Sequence, residues 1–292
     1  MKIFLAGENQ KKHIIPSVHK ENYEVISGVN REQALALRER ERDDLKVYLA
    51  GVAPWKEQGL YDKAITAHRP YILESFYYVN NDTKRLLPYF GDFLLDSGAF
   101  TFMQGKTGSP NWDEYIERYA NFIKENKVQK YFELDIDSVV GYERVKEYRR
   151  KLESLVGWKC IPVWHKSRGI TEYYRHCTEY PYVGIGGYVI KELTPEEYKA
   201  FPQMIRYAHK NGAKVHCLGF TRLCDLPKYH FDSVDSTAWT TGNRFGFIYK
   251  FNGETMVKYN APKGMRLADS KKVALNNYIE WLKFQQYAER CL

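Results

Sequence analysis

The sequence predicts an α/β fold, a (β/α)8 TIM-like barrel, and three observations carry that expectation. Short apolar runs, each ending in polar or small residues, recur between Leu45 and Val234 with helical segments between them. Regular alternation of strand and helix points to a parallel sheet, and eight candidate strands point to a closed barrel rather than an open sheet. No linker composition interrupts the 292 residues, so one domain spanning 1–292 is expected, with strand and helix elements of 1–44 packed on it.

The first elements read as strands at Lys2 to Ala6 and Tyr23 to Val29, followed by a highly charged helix from Arg31 to about Asp44. Barrel strands are expected at Lys46 to Ala50, Tyr71 to Glu74, Phe93 to Leu95, Lys130 to Ile136, Lys159 to Trp164, Tyr182 to Ile185, Ala213 to Leu218 and His230 to Val234. Trp112, Tyr115, Tyr119, Phe122 and Ile123 recur on one helical face behind Asn111, a capping residue. Thr194-Pro195-Glu196-Glu197 supplies an N-cap, a first-turn proline and first-turn acids for a helix that Gly212 stops. Beyond Arg244, Asn252-Gly253 between two alternating runs marks a hairpin, and a helix from Lys271 to Glu289 closes the chain.

Lys and Arg exceed Asp and Glu by 44 to 36, a net charge of +8, which favours a polyanionic partner. Many of the 24 tyrosines sit beside charges rather than in apolar runs, an arrangement able to stack bases. No apolar segment approaches a membrane span, and Met1 to Gly7 is too short and strand-like for a signal peptide, so a cytoplasmic location is expected. Cys160, Cys177, Cys217, Cys224 and Cys291 are odd in number and widely spaced, which reads as reduced thiols. Neither a metal nor a cofactor is expected.

In a barrel the C-terminal strand ends converge on one face, so residues distant in sequence become neighbours there. Those ends carry Asp96-Ser97-Gly98, Asp135 and Asp137, Trp164-His165-Lys166, Gly186-Gly187-Tyr188, His216 to Thr221, and Asp232 to Trp239. Paired carboxylates suit cleavage of a bond to an anomeric carbon: one attacks or stabilises the cationic centre while the other, with a raised pKa, moves a proton. The same acids with His165 or His216 could instead hold a divalent metal, although no HxH or HxxE spacing supports it.

Leu95-Asp96-Ser97-Gly98-Ala99-Phe100, Val183-Gly184-Ile185-Gly186-Gly187, His216-Cys217-Leu218-Gly219 and Phe231-Asp232-Ser233-Val234 resemble successive motifs of the tRNA-guanine transglycosylase superfamily, over about Phe93 to Gly246. That superfamily includes relatives that act on DNA, among them phage and bacterial enzymes inserting 7-deazaguanines. The resemblance implies base exchange in which Asp232 attacks the anomeric carbon and Asp96 is the general acid/base. Should the register be three residues out, Asp235 is the nucleophile. Asp135 or Asp137 would read the base edge, Gly186 and Gly187 would bring backbone groups to it, and Ser97, His216, Asp235 and Trp239 would complete the base site.

Two departures from the superfamily pattern redirect the expected substrate. The clustered Cys-x-Cys-x-x-Cys zinc motif with its later His is missing, and its place is taken by the hairpin and terminal helix. Where the family presents a base-reading Gln, this chain has Val163-Trp164-His165-Lys166, in which Trp164 could stack on a flipped base and His165 could bond to it. DNA is therefore favoured over tRNA, with excision and exchange both open. Alternatives are a sugar-cleaving glycoside hydrolase on the same barrel, a tRNA-guanine transglycosylase proper, or a catalytically dead nucleic-acid-binding barrel. Lys166, Arg168, Arg222, Arg244, Lys263 and Arg266 are the expected phosphate contacts.

Overall fold

The computed structural model describes residues 2–4, 24–26, 45–51, 69–103, 110–187, 192–220, 222–262 and 269–292. By its contacts the chain divides into two compact units, 1–43 and 44–292. In the first, strands β1 (Lys2–Phe4) and β2 (Glu24–Ile26) pair in parallel. The charged helix expected from Arg31 lies outside the described residues.

The second unit is built on a seven-stranded parallel sheet. Its strands are β3 (Lys46–Ala50), β4 (Tyr71–Ser75), β5 (Asp92–Asp96), β6 (Val163–Trp164), β7 (Tyr182–Ile185), β8 (Lys214–Cys217) and β9 (Ser233–Ser236), in the order β5-β4-β3-β9-β8-β7-β6. Every pairing in it is parallel. Both outer strands reach one further segment: Leu95 bridges Tyr131, and Phe132 bridges Ile161 just ahead of β6. The strand expected over Lys130 to Ile136 is thus cut to two bridging residues. The reason is Glu133, fully buried, whose Oε1 accepts from the Val163 amide at 2.7 Å where a strand carbonyl would otherwise stand.

Ten helices are described: α1 (Asn81–Leu86), α2 (Ala99–Met103), α3 (Trp112–Glu125), α4 (Asp137–Val140), α5 (Tyr142–Val156), α6 (Ile170–Glu179), α7 (Phe201–Lys210), α8 (Leu226–Tyr229), α9 (Ala238–Phe245) and α10 (Ser270–Cys291). Between α9 and α10 runs the expected hairpin, β10 (Phe247–Phe251) against β11 (Met256–Asn260). Asn111 caps α3 as anticipated, its side chain accepting from the Asp113 and Glu114 amides. The helix expected from Pro195 starts later, as a 3-10 turn over Glu197–Ala200 followed by α7, where Pro202 sits in the first turn. None of the described helices is long and apolar enough to cross a membrane.

Side chains alternate across each strand, and the two faces have different partners. Tyr48, Ala50, Tyr71, Leu73, Leu94, Phe132, Ile161 and Val163 pack together on an inner face. Val47, Leu49, Ile72, Leu95, Val183, Val215 and Val234 point the other way, into a core shared with the helices. Helix α10 is fastened to the sheet by Gln285, whose amide nitrogen donates to Val47 O at 2.6 Å and to Tyr71 O at 3.1 Å while its oxygen accepts from Tyr71 N.

The last strand departs from expectation in a way that matters for the site. Strand β9 covers Ser233–Ser236, not His230 to Val234. Tyr229 ends α8, His230 takes a left-handed backbone (φ 55), and Tyr229 and Phe231 pack with Phe201 and Phe220. Their apolar character serves helix packing rather than a strand.

Candidate active site

The centre of the site is Asp96, the last residue of β5, in the segment Asp96-Ser97-Gly98. Gly98 has φ +83, which lets its amide turn back and donate to Asp96 Oδ2 at 2.9 Å, and a Cβ there would meet the Tyr115 hydroxyl and Tyr77 Cβ at 2.9 Å. Burial, then the negative charge of Asp135, then that of Asp235 push Asp96 up to about 7, against two backbone amides that favour its anion. A carboxyl poised near neutrality can give or take a proton.

Asp235, on the inner face of β9, is held by one oxygen. Its Oδ1 accepts from the Gly219 amide at 2.6 Å and pairs with His216 Nε2 at 3.2 Å, and Oδ2 takes no hydrogen bond among the described residues. Since a carboxylate only accepts, His216 Nε2 carries the proton. His216 Nδ1 meets Ser233 Oγ at 2.5 Å, and Ser233 Oγ in turn meets the Tyr182 hydroxyl. A file from half-buried Tyr182 through the buried Ser233 and His216 to Asp235 therefore fixes the carboxylate from the inner face of the sheet.

Opposite lies His165, directly after β6. Its Nε2 meets Asp135 Oδ2 and its Nδ1 meets Glu192 Oε2, both at 3.2 Å. Burial works against a charged ring, but the bonds to Asp135 and Glu192 outweigh it and hold His165 up at about 9. The two glycines after β7 make room for this arrangement. A Cβ on Gly186 would stand 2.6 Å from His165 Cε1, and one on Gly187, at φ +83, would stand 2.8 Å from Glu192 Oε2. Glu192 was not foreseen from the sequence; it also accepts from the Ser167 amide at 2.8 Å.

Several expected site residues belong elsewhere, and Asp232 is the chief correction. It precedes β9, at the opposite end of the strand from Ser236, and the odd offset of three residues puts it on the helix side while Asp235 faces inward. There Asp232 is buried, accepting from the Val215 amide at 2.6 Å and meeting His209 Nε2 at 2.9 Å. Asp137 is paired instead with Arg168, which grips it with Nε and Nη2 at 2.8 and 2.5 Å. That Arg168 side chain is 1% exposed and also bonds Glu133, so it is no phosphate contact.

Trp164 faces outward onto Tyr173, with its indole N–H on Gly169 O at 2.8 Å. Trp239 is fully buried against Tyr278, donating to Ala50 O at 2.9 Å. Neither ring can stack on a base. Ser97 is fully buried, its carbonyl taken by the Tyr115 hydroxyl, and His216 lies wholly buried behind Asp235 rather than against a ligand. Lys166 pairs with Glu197 at 2.6 Å and Arg222 with Asp225 at 2.7 Å; both are about half exposed. The Arg244 side chain, Lys263 and Arg266 lie outside the described residues. Also among the described residues, no group of three or more His, Cys, Asp and Glu is placed to hold a metal ion.

No protein-family model matches the chain, and no curated protein matches it. Among solved structures, the carboxyl transferase domain from Rhizobium etli pyruvate carboxylase with pyruvate is similar at 11% identity and a TM-score of 0.44, over 88% of this chain and 50% of that one. The same domain with 3-bromopyruvate gives 12% identity and 0.44, over 88% and 49%. This chain spans about half the length of those domains. At that similarity neither fold nor reaction follows from the likeness.

Proposed function

We propose that the protein cleaves the N-glycosidic bond of a nucleobase in nucleic acid, DNA in preference to tRNA, with Asp235 as nucleophile and Asp96 as acid/base. The observation that carries this reading is one carboxyl raised to about 7 by burial and by the charges of Asp135 and Asp235, with Asp235 itself anchored through a single oxygen. Asp235 Oδ2 attacks C1′, the electrons of the C–N bond pass to the base, and the base nitrogen takes the Asp96 proton. Water or an incoming base then attacks C1′ of the glycosyl ester, breaking its bond to Asp235 Oδ2 so that the carboxylate leaves, and returns a proton to Asp96. Water gives excision and a second base gives exchange. Asp135, tied to His165 through Oδ2, offers its other oxygen to a base edge.

The reading takes the sheet as a closed (β/α)8 barrel, supported by the bridges from β5 through Tyr131–Phe132 to Ile161, which join the two outer strands of the seven. It keeps the resemblance to the tRNA-guanine transglycosylase superfamily with Asp235 in place of Asp232. The net charge of +8 suits a polyanion, and the five free cysteines suit the cytoplasm. The test is mass spectrometry of bases released from unmodified and modified DNA and from tRNA, with and without added 7-deazaguanine. Release or incorporation that depends on Asp235 and Asp96 supports the reading. No turnover on any of these, with turnover of a simple glycoside, transfers the carboxylates to sugar hydrolysis.

A further inference from the structure

The turn that follows β4 presents two adjacent rings to solvent beside the proposed acid. In the 3-10 turn Phe76–Tyr78, Phe76 points inward and packs on Tyr115, Tyr119 and Phe122. Tyr77 and Tyr78 are left outside, 38% and 59% exposed, with ring centroids 4.9 Å apart and nearly perpendicular. Tyr77 rests on Phe102 at 5.3 Å, and its Cβ is 2.9 Å from where a Gly98 Cβ would stand, two residues from Asp96. Behind them Phe102, Trp112 and Tyr115 pack edge to face, so the pair stands on a rigid aromatic layer. Neither tyrosine hydroxyl makes a hydrogen bond among the described residues.

From this geometry we infer that Tyr77 and Tyr78 are a stacking platform for unpaired bases flanking the reacting nucleotide, which makes single-stranded nucleic acid the substrate class. The inference rests on the nucleic-acid reading of the Asp96–Asp235 site. A nucleotide delivered to Asp96 leaves its neighbours without a stacking partner, and exposed rings beside the entrance replace that partner. Charge agrees with this occupant: the chain is +8, and the stretch 76–90 carries Lys84 and Arg85 against Asp82 alone. An aliphatic partner would gain little from paired phenol rings.

The experiment measures fluorescence anisotropy of labelled oligo(dT) and of its duplex with oligo(dA), against wild type, Tyr78→Ala, Tyr78→Phe and, as an exposed aromatic on the hairpin, Tyr259→Ala. Tyr78→Ala is expected to weaken single-strand binding by about tenfold or more. Tyr78→Phe keeps the ring and stays near wild type, Tyr259→Ala is unchanged, and the duplex binds more weakly than the single strand. Equal affinity of wild type and Tyr78→Ala at unchanged melting temperature overturns the platform, as does a duplex bound as tightly as the single strand. Binding of oligo(dT) does not require a cleavable base. A protein that binds through Tyr78 yet releases no base therefore sinks the glycosidic reading and keeps the platform, and the reverse result sinks the platform alone.

Discussion

Changing Asp235 and Asp232 separately to Asn distinguishes a reacting carboxylate from a structural one. In Asp235→Asn the amide oxygen can still accept from the Gly219 N–H and the His216 Nε2–H, so the local fold is kept. What disappears is the charge, with two consequences. The attack on C1′ is lost, at a cost on the order of 10² to 10⁴ in rate. Asp96 also loses one of the two charges that raise it from 3.8 to about 7, a shift worth about 4 kcal/mol between its protonation states, of which burial supplies the largest part. The residual activity of Asp235→Asn should therefore show its basic-side fall at lower pH than wild type. Asp232→Asn disturbs only the bonds to Val215 N and His209, for a stability loss of about 1–3 kcal/mol with the single-turnover rate near wild type. Base release under single-turnover conditions, beside thermal melts of each variant, reads both numbers. Near-normal release by Asp235→Asn, or a well-folded Asp232→Asn protein that releases none, would refute the assignment.

The remaining expectations concern the neighbours of that pair. In the proposed mechanism Asp96 carries the proton that a departing base takes, so the rate should hold below about pH 7 and fall above it; Asp135→Asn, which removes the larger of the two raising charges, should move that fall to lower pH. The bonds of His165 to Asp135 and Glu192 add stability that is complete below pH 6.5 and lost as pH climbs through about 9, so denaturant melts of His165→Gln should lack this pH-dependent component of the wild type. Gly186→Ala drives a Cβ to within 2.6 Å of the His165 ring and should cost about 1–3 kcal/mol in the same melts; an unchanged midpoint would mean the ring has room to move. Trp164→Phe removes a buried bond to Gly169 O and should lower stability by about 1 kcal/mol while leaving KM for the nucleic acid alone, whereas a base-stacking Trp would raise KM.

How far the chain could be read from its sequence is clearest at β9. Lys46–Ala50 and Tyr182–Ile185 fall where their apolar runs place them, because Asp44 and Gly51 bracket the first run, Pro181 and Gly186 bracket the second, and the packing on each side is the sheet's own. At β9 the apolar signal of Tyr229 and Phe231 comes from an aromatic cluster around α7 and α8, which displaces the apparent strand by about three residues toward the N-terminus. With a period of two, an odd offset exchanges the faces, so Asp232 lies on the helix side and Asp235, three residues on, faces inward. Asp96 escaped that fault because Gly98, two residues later, marks where the backbone must turn whatever the strand's start. The same period explains Trp164: Val163 and His165 face inward, and the residue between them cannot.

Burial is what the sequence carried least. Arg168 and Lys166 look alike as cations after a strand, yet one is sealed against Glu133 and Asp137 and the other is half exposed. The available signal was Glu133 itself, an acid inside an apolar run, since a buried carboxylate requires a buried cation and one had to be found nearby. Burial raises Glu133, and Arg168 with Arg149 more than reverses this, holding it at about 2. Glu192 follows the same logic with a fainter sign: two successive glycines after β7 state that something bulky approaches the backbone, and the imidazole and carboxylate that do so are named only by the fold. A glycine pair after a strand is thus better evidence for a crowded neighbour than for a ligand-touching backbone, and here the crowding is what holds His165 against Asp135.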